Sequence, residues 1–193
     1  MYSIFFEGES VTLIFLIQCQ MPLIDPQPPL QAIFESLEGK WQMRRSLDSR
    51  LPGFPSGTYA GEATFTPHSA FNGASYLYHE TGELETEQGF KLRADMKYIY
   101  RLDLENEKIS AWFVKDDNGK DDVDYLYHEL EFERKDGRWI ARGDHLCVMD
   151  MYWTFYDFRT EIKDGKSSLS YWGLRTQVKG PDKDYTTDTA YHR

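Results

Sequence analysis

Cysteine is nearly absent from this 193-residue chain. Cys19 and Cys147 stand far apart, with neither C-x-x-C nor metal-ligand spacing, which excludes a disulfide framework and a dithiol redox pair. Basic charge is also short, with 22 Lys and Arg against 32 Asp and Glu, for a formal net charge of -10. No Lys/Arg stripe is long enough to neutralise a phosphate backbone, so nucleic acid is not an expected partner. Long hydrophobic runs are missing. The longest, Val11 to Ile17, is too short to span a bilayer and follows Glu7 and Glu9 rather than a basic region. It reads as part of a non-secretory extension, and a cytoplasmic location without membrane contact is the expectation. Cofactor signatures are missing too: there is no G-x-G-x-x-G, no P-loop and no G-x-S-x-G.

Aromatic residues are plentiful, at 16% of the chain. Each can bury about 150–250 Å², so the core is expected to be built from rings. The stretch Met21 to Pro29 carries four prolines, which forbid helix and central strand alike, and residues 1–29 therefore read as an extension or linker. Next, Leu30, Ile33, Phe34 and Leu37 recur at helical spacing, which predicts a short helix that caps a barrel end.

From Gly39 onward the pattern becomes short alternating segments separated by turn chemistry every eight to fifteen residues, as expected of hairpin-connected strands. Ten strands are predicted, at roughly 39–48, 57–66, 72–80, 90–103, 108–115, 124–134, 137–149, 152–163, 167–178 and 184–191. Asp117-Asn118-Gly119, Lys135-Asp136-Gly137 and Lys163-Asp164-Gly165-Lys166 supply the glycines that tight hairpins need. A flat sheet of this size would expose two unpaired edges, and closure removes them. The expected fold is all-β: a single antiparallel β-barrel of about 8–10 strands over residues 30–193, with a short N-terminal helix. A two-sheet sandwich is the alternative.

Alternation assigns faces. In the fourth strand Phe90, Leu92, Ala94, Met96, Tyr98, Tyr100 and Leu102 form the apolar side. In the sixth, Leu126, His128, Leu130 and Phe132 oppose Tyr125, Tyr127 and three glutamates, which places His128 inside. Around the seventh, His145, Cys147, Met149 and Met151 share one face, with Asp144, Asp150 and Tyr152 on the other.

Two sets of residues carry a family resemblance. Gly39-Lys40-Trp41 resembles the G-x-W opening of lipocalins and related calycins, in which the Trp plugs the barrel floor beneath a basic residue from a late strand. The wider pattern runs from Gly61-x-Ala63-x-Phe65, Tyr78-x-Glu80-x-Gly82 and Tyr127-His128 through His145-x-Cys147-x-x-Asp150-x-Tyr152 to Val178-Lys179-Gly180-Pro181-x-Lys183-Asp184-Tyr185. It resembles a family of uncharacterised bacterial and fungal domains of unassigned function. The resemblance implies a calycin-like barrel over about residues 33–193 and no particular reaction.

Candidate chemistry centres on His128, His145 and Cys147. A histidine with pKa near ~6.5 exchanges protons near neutrality, and one beside a thiol can promote its ionisation. The bland reading makes all three satisfied core residues. Tyr78, Tyr98, Tyr100, Trp112, Tyr152, Trp153, Tyr156 and Trp172 are expected to line the lumen, with Arg175 as a candidate anion contact. Among the strand arginines Arg44, Arg45, Arg93, Arg101 and Arg175, any that points inward needs a carboxylate or ligand anion, and exterior ladders are the default. Zn²⁺ or haem iron held by His79, His128 and His145 has no H-x-H or H-E-x-x-H spacing behind it, so no metal or cofactor is expected. Lys179 to Tyr185 reads as a closing turn and strand.

The function expected is binding of a small, mostly apolar or aromatic metabolite in the barrel lumen. The chain then acts either as a cofactor-free acid-base isomerase, cyclase or lyase, or as a non-catalytic carrier. A haem-binding barrel is a third reading, and the sequence is compatible with a homodimer.

Overall fold

The computed structural model describes residues 29–71, 73–117, 120–163 and 166–193. The Val11–Ile17 run, Cys19 and the proline-rich linker up to Pro28 lie outside these residues, as do the turn dipeptides Asn118-Gly119 and Asp164-Gly165.

A helix, α1 (Leu30–Leu37), leads into ten strands: β1 (Gly39–Ser49), β2 (Gly57–Pro67), β3 (Ser75–Thr86), β4 (Lys91–Asp103), β5 (Lys108–Asp117), β6 (Lys120–Lys135), β7 (Arg138–Cys147), β8 (Asp150–Lys163), β9 (Lys166–Lys179) and β10 (Asp184–His192). Each strand pairs antiparallel with the next, and β10 returns to β1, which closes the barrel. Closure, not a sandwich, resolves the edge problem. Where Lys135-Asp136-Gly137 turns, Asp136 and Gly137 hold φ of 49° and 77°, as a two-residue hairpin requires.

One end is a sealed floor. Leu30, Ile33, Phe34 and Leu37 of α1 are buried against the barrel, with Phe34 stacked on Tyr76 at 4.6 Å between ring centroids. Trp41 donates its indole N–H to the Leu37 carbonyl at 2.8 Å. Arg193 covers the Trp41 ring at 4.0 Å and donates to the carbonyls of Ser36 and Glu38. The lower half is packed solid with rings. Trp172 and Tyr191 stack with centroids 3.7 Å apart, and the space among Phe65, Tyr100, Tyr156, Phe158 and Trp172 leaves no room for a water molecule. Among the described residues no helix is long and apolar enough to cross a membrane.

Alternation fails at three places, each for a local reason. Ala111 pairs with His128 but Trp112 pairs with Leu126, so β6 carries an extra residue there. This bulge lets two consecutive residues, Tyr127 and His128, both turn inward, and it moves Leu126 to the outside. A two-residue turn at Val148-Met149 pairs Cys147 with Asp150, so Asp150 and Tyr152 share the face of Cys147 and His145, against the sequence expectation. Third, β4 joins β5 only from Tyr98 to Asp103. Its first residues pair with β3 alone, in a hairpin that overhangs the barrel. Phe90 and Leu92 are therefore exposed instead of inward, Met96 is half-exposed at the rim of the mouth, and Tyr98, Tyr100 and Leu102 do enter the core.

Candidate functional site

The end opposite α1 is open. Register places Ser49, Tyr185, Val178, Tyr152 and His145 in one inward row across β1, β10, β9, β8 and β7. Directly above them Cys147 closes the β7–β8 hairpin. From the other side of the barrel come Tyr98, Phe113, Tyr125 and Tyr127. Together with Leu51, Phe54, Met96, Asp182, Lys183 and Asp184 these residues line a cavity of about 330 Å³.

This cavity is a slot between two unlike walls. One is a continuous aromatic surface: Tyr98 stacks on Tyr127 at 5.4 Å, Phe113 lies 4.5 Å from Tyr125, and His145 sits 5.2–6.0 Å from Phe113, Tyr125, Tyr127 and Tyr152. The other is the β1–β2 loop, with Phe54 stacked against Tyr185 at 6.1 Å, beside the β9–β10 turn. Arg50 ties that loop to Asp184 at 3.1 Å and to Thr186 at 3.0 Å.

Polar groups at the slot are few. Burial lowers the His145 pKa, partly offset by a hydrogen bond to the Tyr127 backbone, so the imidazole is neutral near pH 7, and its Nε2 has no partner among the described residues. Lys183 donates to the Tyr152 hydroxyl at 2.7 Å and lies over that ring. The hydrogen bond raises the ammonium pKa and keeps it charged. Burial pushes the Tyr127 phenol up to about 12, and its hydroxyl faces Thr154 Oγ1 at 3.4 Å.

A second polar cluster lies deeper. Arg45 points inward and grips Glu80 with both guanidinium nitrogens at 2.8 Å, while Nε donates to Thr189. Tyr78 donates to the same carboxylate and pairs with the Tyr191 hydroxyl. One strand arginine is thus interior and does have the carboxylate that such placement demands, so exterior placement does not hold for Arg45.

The residues singled out in the sequence fall into three groups. His145, Cys147, Tyr98 and Tyr152 line the slot. Tyr78, Tyr100, Tyr156, Trp172 and His128 are interior but belong to the packed barrel beneath it. His128 is 2% exposed, bonds Tyr156 through Nε2 at 2.8 Å, and is held by burial at a pKa of about 3. The remaining three are corrections. Trp153 pairs with Asp144 and Gln177 on the outer face. Trp112 packs outside against Phe71. Arg175 is exposed and clasps Asp188 at 2.7 Å, so it offers nothing to the lumen. Period two alone separates Trp153 from Tyr152, Arg175 from Trp172, and Trp112 from Ala111 and Phe113, because these pairs stand an odd number of residues apart in regular strands.

Phe113, Tyr125, Tyr127, Lys183 and Tyr185 escaped the sequence reading as site residues. Tyr127 stood in the family pattern but alternation assigned it to the face opposite His128, and the Lys183-Asp184-Tyr185 triplet of the same pattern read as a closing turn and strand. Among the described residues no group of three or more His, Cys, Asp or Glu is placed to hold a metal ion.

The fold has a solved counterpart in the S-type phycobiliprotein lyase CPES from Guillardia theta. The two superpose with a TM-score of 0.53 over 85% of this chain and 92% of that one, at 10% sequence identity, which is a likeness of fold. No curated protein matches the sequence. Residues 37–193 match a family model described as a family of unknown function (DUF6314).

Proposed function

We propose that this chain, which belongs to the DUF6314 family, binds a small planar aromatic or largely apolar molecule in the slot at its barrel mouth. The observation that carries the reading is the division of the interior. The lower barrel is filled by its own rings, whereas the mouth keeps about 330 Å³ walled by seven aromatic residues and a neutral imidazole. That volume sits at the small end of ligand sites, and stacked walls favour a flat occupant. Binding is the core of the proposal, with a carrier as its simplest form. Proton transfer is the finer reading: His145 is the one slot histidine, and as neutral imidazole it is able to accept a proton from a bound molecule. His128 has no part in that step, because Tyr156 and the Gly143 backbone enclose it.

The test is fluorescence titration with phenylnaphthylamine, a neutral planar probe, followed by native mass spectrometry of the purified protein for a co-purified small molecule. Saturable one-to-one enhancement is expected, and Cys147→Trp, which fills the slot from its rim, should abolish it without lowering the melting temperature. Enhancement that persists in Cys147→Trp would place the probe on exposed apolar residues such as Phe90 and remove the proposal.

A further inference from the structure

The charged groups around the slot are not equivalent, and their differences define a polar end for its ligand. Asp184 is occupied by Arg50 at 3.1 Å. Asp150 is 4% exposed and turned away into the β9–β10 turn, where Oδ1 accepts the Asp182 backbone N–H at 3.2 Å. Gly180 makes that turn possible, since a Cβ there would stand 2.1 Å from the same oxygen. Asp182 carries its carboxylate on the exposed rim. The positive charge of Lys183 is therefore held 3.9 Å from its nearest carboxylate oxygen, beyond hydrogen-bond reach, and it faces the cavity it lines.

Tyr152 completes the pair. An ammonium has only protons to give, so the Tyr152 oxygen accepts from Lys183, and its own O–H is left to donate elsewhere. Two spare Lys183 protons and one phenolic proton thus converge beside the aromatic wall. Such donors are matched by an anionic oxygen, and charge-assisted bonds are about twice as strong as neutral ones. A ligand cation would meet the ammonium instead.

We propose that the slot selects planar aromatic acids, with the ring against Tyr98, Tyr127 and His145 and the acid oxygens on Lys183 Nζ and the Tyr152 hydroxyl. This rests on the binding reading above and specifies its ligand class. Lys183-Asp184-Tyr185 is then both the closing device of the barrel and the polar end of the site.

Two probes with the same ring system separate the two claims: anilinonaphthalene sulfonate carries an acid group, and phenylnaphthylamine does not. Wild-type protein should prefer the sulfonate. Lys183→Met should weaken the sulfonate about tenfold, a loss of about 1.4 kcal/mol, while the neutral probe changes by less than about twofold. Lys183→Arg should retain most of the sulfonate affinity, and Tyr152→Phe should show a smaller selective loss. Should Lys183→Met destabilise the fold, Lys183→Gln and rising salt on wild type give the same reading, because screening weakens only the acid. Equal losses for both probes, or an unchanged sulfonate affinity, would overturn the acid preference and leave aromatic binding standing. Failure of both probes to bind wild type in a manner blocked by Cys147→Trp would overturn both.

Discussion

His128 occupies the space that any side chain at Gly143 would need: a Cβ at 143 would stand 2.2 Å from Cδ2 and 2.5 Å from Cγ of the imidazole. The β6 ladder to β7 runs only from Glu131 to Lys135, so this contact between ring and bare backbone fills the gap where the two strands part. Gly143→Ala should therefore cost about 1–3 kcal/mol as an overpacked site. Adding His128→Ala should recover part of that loss. A double-mutant cycle by urea denaturation should give a coupling above about 0.5 kcal/mol, and additive losses would mean that the two residues do not share this space.

Stability should fall in acid through His128. Burial holds its pKa at about 3, against ~6.5 in an unfolded chain. Between those values the unfolded chain binds a proton that the native chain does not. The contribution is thus complete above about pH 6.5 and declines toward pH 3, at about 1.4 kcal/mol per unit for this one group. His128→Gln should show a shallower decline than wild type when denaturation midpoints are compared from pH 7 to 4. Parallel curves would contradict the placement.

Arg45 and Glu80 form an ion pair inside the barrel, and each single removal strands a charge. Glu80→Gln should destabilise by about 3 kcal/mol, and Arg45→Met by a comparable amount. The double variant Arg45→Met with Glu80→Met should cost less than the two singles summed. Guanidinium melts of all three settle the order, and a neutral Glu80→Gln would show that Arg45 finds other partners.

At the floor, Arg193→Ala removes the cation over Trp41 and two carbonyl contacts to the end of α1. A loss of about 1–2 kcal/mol is expected. Amide exchange in Leu30–Leu37 should quicken more than exchange in β8 and β9. Unchanged protection of α1 would show that its apolar stripe alone holds it.

Much of the architecture was legible before any coordinate. Leu30, Ile33, Phe34 and Leu37 marked the helix by period, Gly and Asp at the turns marked the hairpins, and ten alternating segments pointed to closure over a two-sheet sandwich. These signals are local, each depending on a few neighbouring residues. The contents of the mouth depended on how the strands pair. A bulge at Tyr127 and a two-residue turn at Val148-Met149 each shifted side chains to the opposite face, because period two converts a single extra residue into a full reversal, whereas the late start of the β4–β5 ladder left Leu92 beyond the rim without turning it over. Hence Tyr127 joined the lumen, and Tyr152, expected there, lines it on the same face as His145 instead of the opposite one, while Trp112, Trp153 and Arg175 lie outside. Composition and strand pattern thus placed aromatic rings in the core of a curled antiparallel sheet. Which rings leave a gap was set by strand pairing, because a cavity is a property of surfaces brought together from seven strands and two loops, and no single segment encodes it.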